Sequence, residues 1–302
     1  MNKKRLGYYH SKDLDGHFSG AVLKFQYPDI ELRGWDYKDP TPPIEDLQGY
    51  DEVILIDITF PFDKMIEYGR VLNLTVIDHH ISVKREADEW LEFNTAFNGE
   101  LQLPFTYIYD NELSACELGF KHYFGYVPPI VEAVGKYDTW RAFGTDLWDN
   151  VILPIKFYMY GKVGNPNDVN PEWFVNDEFT SGVKINEMIS IGKSIMDYER
   201  KMDESRCKSY AFETNAFGLR VLAMNTQFFS SEVMRTMFDP EKHDIMVGFN
   251  YNGRNWGVSL RSPKGGADVS RIAKARGGGG HISAAGYESQ AFEDIFKEEV
   301  NV

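Results

Sequence analysis

Three short stretches of the chain gather carboxylate and imidazole side chains. His10, Asp13 and Asp15 lie in HSKDLDG, Asp57 follows the apolar run VILI, and the triplet DHH occupies residues 78–80. Carboxylate oxygen and imidazole nitrogen suit Mn²⁺, Fe²⁺ and Zn²⁺, and sets dominated by oxygen also suit Mg²⁺. A set this rich in anions can hold two divalent ions about 3.5–4 Å apart. The residue types therefore predict a two-metal centre.

Each stretch taken alone has an ordinary structural explanation. An Asp after a strand is most often a turn or helix-cap residue, and this explanation is favoured for Asp57 by itself. HSKDLDG fits a solvated turn as well as it fits a ligand loop. Two adjacent histidines at a strand end are an uncommon way to fill a loop. Together, the three stretches favour metal binding.

The elements that must position these residues alternate between strands and helices through the first half of the chain. Strands are predicted at 6–9, 30–35, 53–56 and 74–77, and helices at 16–26, 62–70, 113–123 and 129–140. The strand at 53–56 is a continuous apolar run, which is typical of a strand buried on both faces, and 74–77 is predicted to be the next buried strand. This alternation indicates a parallel sheet. Ligands bind beyond the carboxyl ends of such strands, so we expect the three stretches to meet at one edge.

A long polar helix, 183–207, has the character of a connector between domains. Strand patterns follow it at 219–224, 245–249 and 256–260. We therefore predict an α/β fold class with a parallel-sheet N-terminal domain (1–175), a helical linker (176–214) and a smaller α/β C-terminal domain (215–302).

A run of glycines, residues 277–280, lies near the C-terminal end between Arg276 and His281. Glycines let the backbone approach a ligand closely and expose successive N–H groups, which suits a phosphate oxyanion. Arg261, at the end of the preceding strand, can offer two donors to a phosphate or carboxylate. A flexible linker is the alternative, but HISAAGY is not linker composition. The run is neither a Walker A loop nor a GxGxxG fingerprint.

The composition argues against several classes of partner. The 302 residues carry a net charge of −14, with a pI near 5.0. Long nucleic acid is usually held by a basic surface, so we expect a short ligand and no long duplex. We expect no membrane partner and no signal peptide, because no apolar segment is suited to either. Two distant cysteines, Cys116 and Cys207, suggest no disulfide framework and favour a reducing cytoplasm.

The motifs HSKDLDG, VILIDI, VIDHH and KYDTW, followed by RGGGGHISAAG, resemble those of the DHH phosphoesterase superfamily with its DHH-associated C-terminal domain. The resemblance covers nearly the whole chain and keeps the order of the motifs. HSKDLDG and YDTW are most similar to the nanoRNase branch of NrnB-like oligoribonucleases, which degrade very short RNA from one end. One departure is the short spacing between His10 and Asp13, since many members have a longer spacing, often with a Pro.

The resemblance implies a role for each motif. Two divalent ions, usually Mn²⁺ with Mg²⁺ as the alternative, would be held by two ligand sets that share Asp57: His10, Asp13 and Asp57, and Asp15, Asp57, His79 and Asp138. Asp57, Asp78 and His80 would be catalytic, with His80 at the scissile phosphate and Asp78 orienting the histidine pair. The far end of the substrate would contact residues of the C-terminal domain, namely Arg261, Gly278, Gly279, Gly280 and His281, with Arg276 beside them.

The expected activity is metal-dependent hydrolysis of short phosphodiesters through a water activated between two metals. NanoRNA is the first expected substrate, and 3′-phosphoadenosine 5′-phosphate is a second. The enzyme alternatives are a cyclic- or linear-dinucleotide phosphodiesterase and an exopolyphosphatase. Outside the enzymes, the alternative is an inactive nucleotide-binding regulatory module. Expected partners are short RNA or a small nucleotide, and a homodimer is left open.

Overall fold

The apolar runs of the first half form one sheet, whose strands in chain order are β1 (Arg5–His10), β2 (Glu31–Trp35), β3 (Glu52–Ile56), β4 (Leu74–Asp78) and β5 (Thr106–Tyr109). Across the sheet the order is β2-β1-β3-β4-β5, and each neighbouring pair is parallel. All of β4 and the last four residues of β3 are buried. This is expected for apolar strands of a parallel sheet that is covered on both faces.

The structure is a computed structural model, and it describes residues 3–98, 102–175, 182–226, 237–263 and 265–297. The chain divides into two units, Met1–Met196 and Asp197–Val302. The boundary falls inside helix α8 (Val183–Tyr210), which lies within the predicted linker 176–214. Within the described ranges, none of the helices combines the length and the apolar character that a membrane span needs.

The helices of the first unit are α1 (Leu14–Gln26), α2 (Phe62–Gly69), α3 (Ile81–Asn98), α4 (Ala115–Phe124), α5 (Pro129–Asp138), α6 (Leu153–Tyr160) and α7 (Glu172–Val175). Helices cover both faces of the sheet. Successive strand residues point to opposite faces, so alternate residues of β3 pack in different cores. Val53 and Leu55 pack in one core with residues of α2 and α3. Ile54 and Ile56 pack in another core with residues of α1 and α4. A π-helical turn, Trp148–Ile152, precedes α6.

The strand order reverses between β1 and β3. The chain passes from β1 to the edge strand β2, returns to β3 on the other side of β1, and then continues to β4 and β5. The carboxyl ends of β1 and β3 therefore flank the crevice in which open parallel sheets bind ligands. The last residue of β1 is His10, and Asp57 follows β3 directly.

The described residues of the second unit form a mixed sheet and a helix that packs on it. Their bounds are β6 (Ala211–Ala216), β7 (Leu219–Asn225), β8 (Ile245–Tyr251), β9 (Trp256–Arg261), α9 (Val269–Ala275), β10 (Gly279–His281) and β11 (Ala284–Ser289). The order is β10-β11-β9-β8-β7-β6, and β7–β8 is its parallel pair. Phe217 and Gly218 join β6 to β7 with φ of 58° and 69°, as a type I′ hairpin requires. Val269 and Ala273 pack α9 onto the sheet.

The predicted α/β class and parallel sheet are confirmed, and the differences lie at weak patterns. β5 was missed because its residues are only partly buried. The helix predicted to reach Trp140 ends at Asp138, since Trp140 has a positive φ of 57°. The glycine run was expected as a loop, but part of it forms β10. Cys116 and Cys207 are both buried free thiols.

Candidate metal centre

HSKDLDG forms the turn from β1 into α1. Asp13 caps α1, because its Oδ1 accepts a hydrogen bond from the N–H of Gly16 at 2.9 Å. A Cβ at Gly16 would lie 1.9 Å from the carbonyl oxygen of His10, so only glycine fits this close approach. The turn therefore holds His10 and Asp13 together at the strand end.

His10 and Asp13 form an ion pair beside Asp57. His10 Nδ1 lies 2.8 Å from Asp13 Oδ2 and 3.8 Å from Asp57 Oδ2. Burial lowers the pKa of His10, but the hydrogen bond to Asp13 and the charges of Asp13 and Asp36 outweigh it, so the pKa is raised. Burial raises the pKa of Asp13, but His10 outweighs it, so that pKa is lowered. Asp13 is thus kept as a carboxylate.

Asp57 is the most constrained residue of the site. It is 2% exposed, its φ is 61°, and its Oδ2 is buried with no hydrogen-bond partner among the described residues. Burial, followed by the charges of Asp15, Asp13 and Asp138, raises its pKa well above the ordinary value. A strained, buried carboxylate with an unsatisfied oxygen is costly. A cation at this oxygen would remove most of that cost, so the residues fit a metal.

His79 lies between three carboxylates. Its Nε2 is 3.5 Å from Asp57 Oδ1, 3.5 Å from Asp138 Oδ2 and 3.8 Å from Asp15 Oδ2. Burial lowers the pKa of His79, which favours the neutral imidazole that binds metals. Asp138 ends α5, and burial together with the charges of Asp15 and Asp13 raises its pKa.

His80 is oriented by Asp78, the last residue of β4. His80 Nδ1 lies 2.8 Å from Asp78 Oδ1, and the backbone N–H of His80 donates to Asp78 Oδ2 at 3.3 Å. Asp78 is fully buried, whereas the His80 side chain is 41% exposed. Burial lowers the pKa of His80, but the bond to Asp78 and its charge outweigh it and raise the pKa. This geometry suits the orienting role expected for Asp78.

Asp15 is fixed by the start of α4. Its two oxygens accept hydrogen bonds from the N–H groups of Ala115 at 2.9 Å and Cys116 at 3.0 Å. These N–H groups belong to the first turn of the helix, where the helix dipole favours a negative charge. A capping box of Ser114 and Glu117 starts that turn. The helix end thus positions the carboxylate of Asp15 beside His79.

Ligand atoms within 4.8 Å of one another form three overlapping groups: Asp57, His79 and His80; His10, Asp13 and Asp57; and Asp15, His79 and Asp138. We call these residues the ligand cluster. Each group could hold a metal ion. Every residue predicted to hold a metal belongs to the cluster. The groups overlap at Asp57 and His79, which fits two neighbouring ions.

Asp36 and Tyr37, which follow β2, also lie at the site and were not predicted from the sequence. Asp36 Oδ1 lies 3.8 Å from His10 Nε2, and the ring centroids of Tyr37 and His10 are 6.1 Å apart. Burial raises the pKa of Tyr37 to about 12. The rule that pointed to Asp57 applies here too, because β2 is a parallel neighbour of β1 and ends at the same edge.

The predicted substrate residues of the second unit surround β9 and β10. Arg261 ends β9, and burial lowers its pKa. Arg276 donates to the carbonyl of Asp294 at 2.6 Å and to the carbonyl of Lys297. These hydrogen bonds give Arg276 a structural role, so it is not among the residues proposed to bind the substrate. The side chain of His281 lies outside the described residues.

The glycines at 278–280 differ in their surroundings. A Cβ at Gly278 would lie 2.1 Å from the carbonyl oxygen of Gly286, and one at Gly280 would lie 2.5 Å from that of Ala284. Close pairing with β11 therefore explains these two glycines. A Cβ at Gly279 would meet nothing within 4 Å among the described residues. Of these three glycines, Gly279 is thus the one with open space beside its Cα.

No protein-family profile and no curated protein matches this chain. Among solved structures, the DHH domain of a member of the s1p family of ribosomal proteins has a TM-score of 0.52 at 14% identity, covering 95% of this chain and 83% of its own. A pGpG-specific phosphodiesterase, PggH, from Vibrio cholerae has a TM-score of 0.48 at 15% identity, covering 97% and 95%. An exopolyphosphatase-related protein from Bacteroides fragilis has a TM-score of 0.49 at 16% identity, covering 97% and 88%. The first likeness shows that the chain has the fold of a DHH domain.

Proposed function

We propose that this protein, whose fold is that of a DHH domain, is a metal-dependent phosphoester hydrolase. One observation carries the proposal: the buried carboxylate of Asp57, with an unsatisfied oxygen, joins two groups of metal-binding side chains. Two divalent ions, Mn²⁺ first and Mg²⁺ as the alternative, would supply positive charge at a phosphate and lower the pKa of a water between them. His10, Asp13 and Asp57 would hold one ion, and Asp15, Asp57, His79 and Asp138 the other.

His80 is the side chain we propose for contact with the scissile phosphate. Its raised pKa favours the protonated ring, which can donate to a phosphoryl oxygen or to the leaving oxygen. Asp78 accepts from Nδ1 and fixes the ring orientation, so little reorientation is needed during the reaction. In the second unit, the open backbone at Gly279, with Arg261 and His281, would bind the far end of the substrate.

For the substrate we propose short RNA of the nanoRNase class, with 3′-phosphoadenosine 5′-phosphate as a further substrate. The net charge of −14 supports a short ligand over a long duplex. Dinucleotide phosphodiesterase and exopolyphosphatase activities are the alternatives, and an inactive nucleotide-binding module is the alternative outside the enzymes. A homodimer and a cytoplasmic location remain part of the proposal.

A substrate panel tests the proposed function. Purified protein with Mn²⁺ would be given RNA oligomers of two to five nucleotides, 3′-phosphoadenosine 5′-phosphate, linear and cyclic dinucleotides, and polyphosphate, and kcat/KM compared. We expect the highest value for the shortest RNA. No hydrolysis of any phosphoester would contradict the proposal and leave the inactive module.

Asp57→Asn tests the role of the shared carboxylate. Asparagine tolerates positive φ well, so we expect the variant to fold, which thermal unfolding would check. We expect a loss of kcat/KM of more than about 100-fold, because even outer-shell changes at metal sites cost 10–100-fold. Asp63→Asn, at an exposed residue of α2, is the matched control and should retain full activity.

A further inference from the structure

Trp140 combines three features that suggest a ligand contact. Its side chain is 49% exposed, its φ is 57°, and it follows Asp138 of the ligand cluster by two residues. A bulky side chain at positive φ is strained, and such strain gathers at ligand sites. Among the described non-glycine residues, positive φ occurs at Asp57, Trp140 and Phe217. Two of these three therefore belong to the ligand cluster or adjoin it.

The residues on both sides of Trp140 hold it in this conformation. The Oγ1 of Thr139 donates to the carbonyl of Gly135 at 2.8 Å, and Arg141 Nε donates to the same hydroxyl at 2.7 Å. The guanidinium of Arg141 also pairs with Glu117, which is 1% exposed. Both neighbours are thus fixed to helices α4 and α5. These contacts support the positive φ of Trp140, which leaves its indole half exposed.

The inner face of this indole is supported by other rings. Trp140 stacks on buried Trp148 with centroids 5.5 Å apart and planes at 29°. Trp148 in turn stacks on Tyr137, also at 5.5 Å and with planes at 19°. Phe143, which is 46% exposed, lies 4.9 Å from Trp140. The indole of Trp140 thus has a buried ring stacked behind it, and the ring of Phe143 stands beside it at 51°. We call Trp140 and Phe143 the aromatic platform.

We propose that the aromatic platform stacks against the nucleobase of the substrate, an inference that rests on the proposed function. Two residues span at most about 7 Å, so the backbone of Trp140 lies close to that of Asp138, where the phosphate would bind. A ligand with both a phosphate and a flat ring is a nucleotide, whereas polyphosphate has no ring to stack. Stacking accepts every base, because every base has a π face. The platform therefore favours nucleotides of any base over polyphosphate.

Calorimetry with two matched ligands tests this inference. AMP and ribose 5-phosphate share the phosphate and the sugar, and AMP adds the base. The Mn²⁺-loaded full chain should bind AMP more tightly than ribose 5-phosphate. Trp140→Ala should weaken AMP binding by roughly 5- to 150-fold, the range expected for the loss of one stacked base. Binding of ribose 5-phosphate should be unchanged.

Further variants guard against a general effect on folding. Trp140→Leu keeps apolar bulk without a π face and should lose AMP affinity like Trp140→Ala. Trp140→Phe keeps a ring and should retain most of the affinity. Phe93→Ala, at a 59% exposed aromatic of α3, is the control and should bind both ligands like the unchanged protein.

Several outcomes would overturn the platform. The first is equal affinity of the unchanged protein for AMP and ribose 5-phosphate, and the second is that it binds neither ligand. The third is that Trp140→Ala loses affinity for both ligands equally. These failures differ from failure of the proposed function, because hydrolysis is measured on the same preparation. A protein that hydrolyses phosphoesters but shows no preference for AMP would refute the platform alone.

Discussion

At the scale of single residues, the site is defined by side chains that are costly for the fold alone. Asp57 is buried, strained and only partly hydrogen bonded, and Trp140 is strained and half exposed. Neither arrangement stabilises the apoprotein. Both become favourable if a cation meets Asp57 and a flat ligand meets Trp140. The costs thus mark the positions where ligands are expected.

Gly16→Ala is a prediction at this scale. The added methyl group would meet the His10 carbonyl, with Cβ only 1.9 Å from the oxygen, so α1 must shift away from β1. We expect a loss of about 1–3 kcal/mol in the free energy of unfolding, as for overpacked sites, and weaker Mn²⁺ binding. Urea unfolding and metal titration measure the two effects. Gly49→Ala, where a Cβ meets nothing within 4 Å, is the control, and an equal loss there would contradict the explanation.

Sequence patterns predicted some of these residues and missed others for physical reasons. Asp57 and the DHH triplet could be predicted because a strand end is readable from an apolar run. Asp36 could have been found by the same rule, because it directly follows the strand predicted at 30–35, although β2 has a single buried residue. The conformation of Trp140 depends on contacts of its neighbours with distant Glu117. No local pattern carries that information.

At the scale of elements, parallel strands deliver the ligands to one edge of the sheet, and helix ends complete the site. β1, β3 and β4 lead into the three motifs, while the first turn of α4 binds Asp15 and the last residue of α5 supplies Asp138. The parallel sheet was readable as a class from alternating patterns, but its strand order was not predicted. Asp138 was reached only through the resemblance, and the contact of α4 with Asp15 was not predicted, because it requires knowing which helix packs beside α1.

The strand β10 gives a prediction at this scale. Gly279→Ala should fold normally, since a Cβ there meets nothing within 4 Å, whereas Gly280→Ala places a Cβ 2.5 Å from the carbonyl of Ala284 at a φ of 138°. We expect Gly280→Ala to lower the melting temperature clearly. Gly279→Ala should keep it and raise KM for short RNA several-fold, because a methyl group obstructs approach to the backbone. An unchanged KM in Gly279→Ala would argue that β10 is purely structural.

At the scale of the whole molecule, acidity and metal binding are coupled. The net charge is −14, and buried Asp57 and half-buried Asp138 both have raised pKa values. Their deprotonation without a counter-ion works against folding. Two divalent cations would reverse this effect locally, which is consistent with an acidic protein that handles anionic substrates.

The stability of the metal-free protein should therefore fall as pH rises. A carboxyl whose folded pKa is raised stabilises the fold below its ordinary pKa, and that stability is lost as pH rises through the raised value. His10 and His80, with raised pKa values, act in the same direction above their ordinary value of about 6.5. The lowered pKa of His79 makes the fold more stable as pH rises, but only below about pH 6.5. We expect the melting temperature in a chelator to decrease from about pH 6.5 to pH 8.5.

Addition of Mn²⁺ should remove this decrease. At 100 times its Kd, an ion that binds only the folded state stabilises it by about 2.7 kcal/mol, and the gain should grow with pH because the ligands must be deprotonated. Differential scanning calorimetry at several pH values, with chelator and with Mn²⁺, measures both trends. A melting temperature that rises with pH in the chelator would contradict the carboxylate assignment.

The spacing of the ligands along the chain has a consequence for protein synthesis. The ligands proposed for one ion, His10, Asp13 and Asp57, are complete at residue 57, whereas those proposed for the other ion include Asp138 at the end of α5. Roughly 80 residues separate Asp57 from Asp138, which a ribosome adds in about 4–16 s. A nascent chain thus carries every side chain of one ion site well before the other can exist. If two ions bind as proposed, the direction of translation would make the ligands of the first ion available before those of the second.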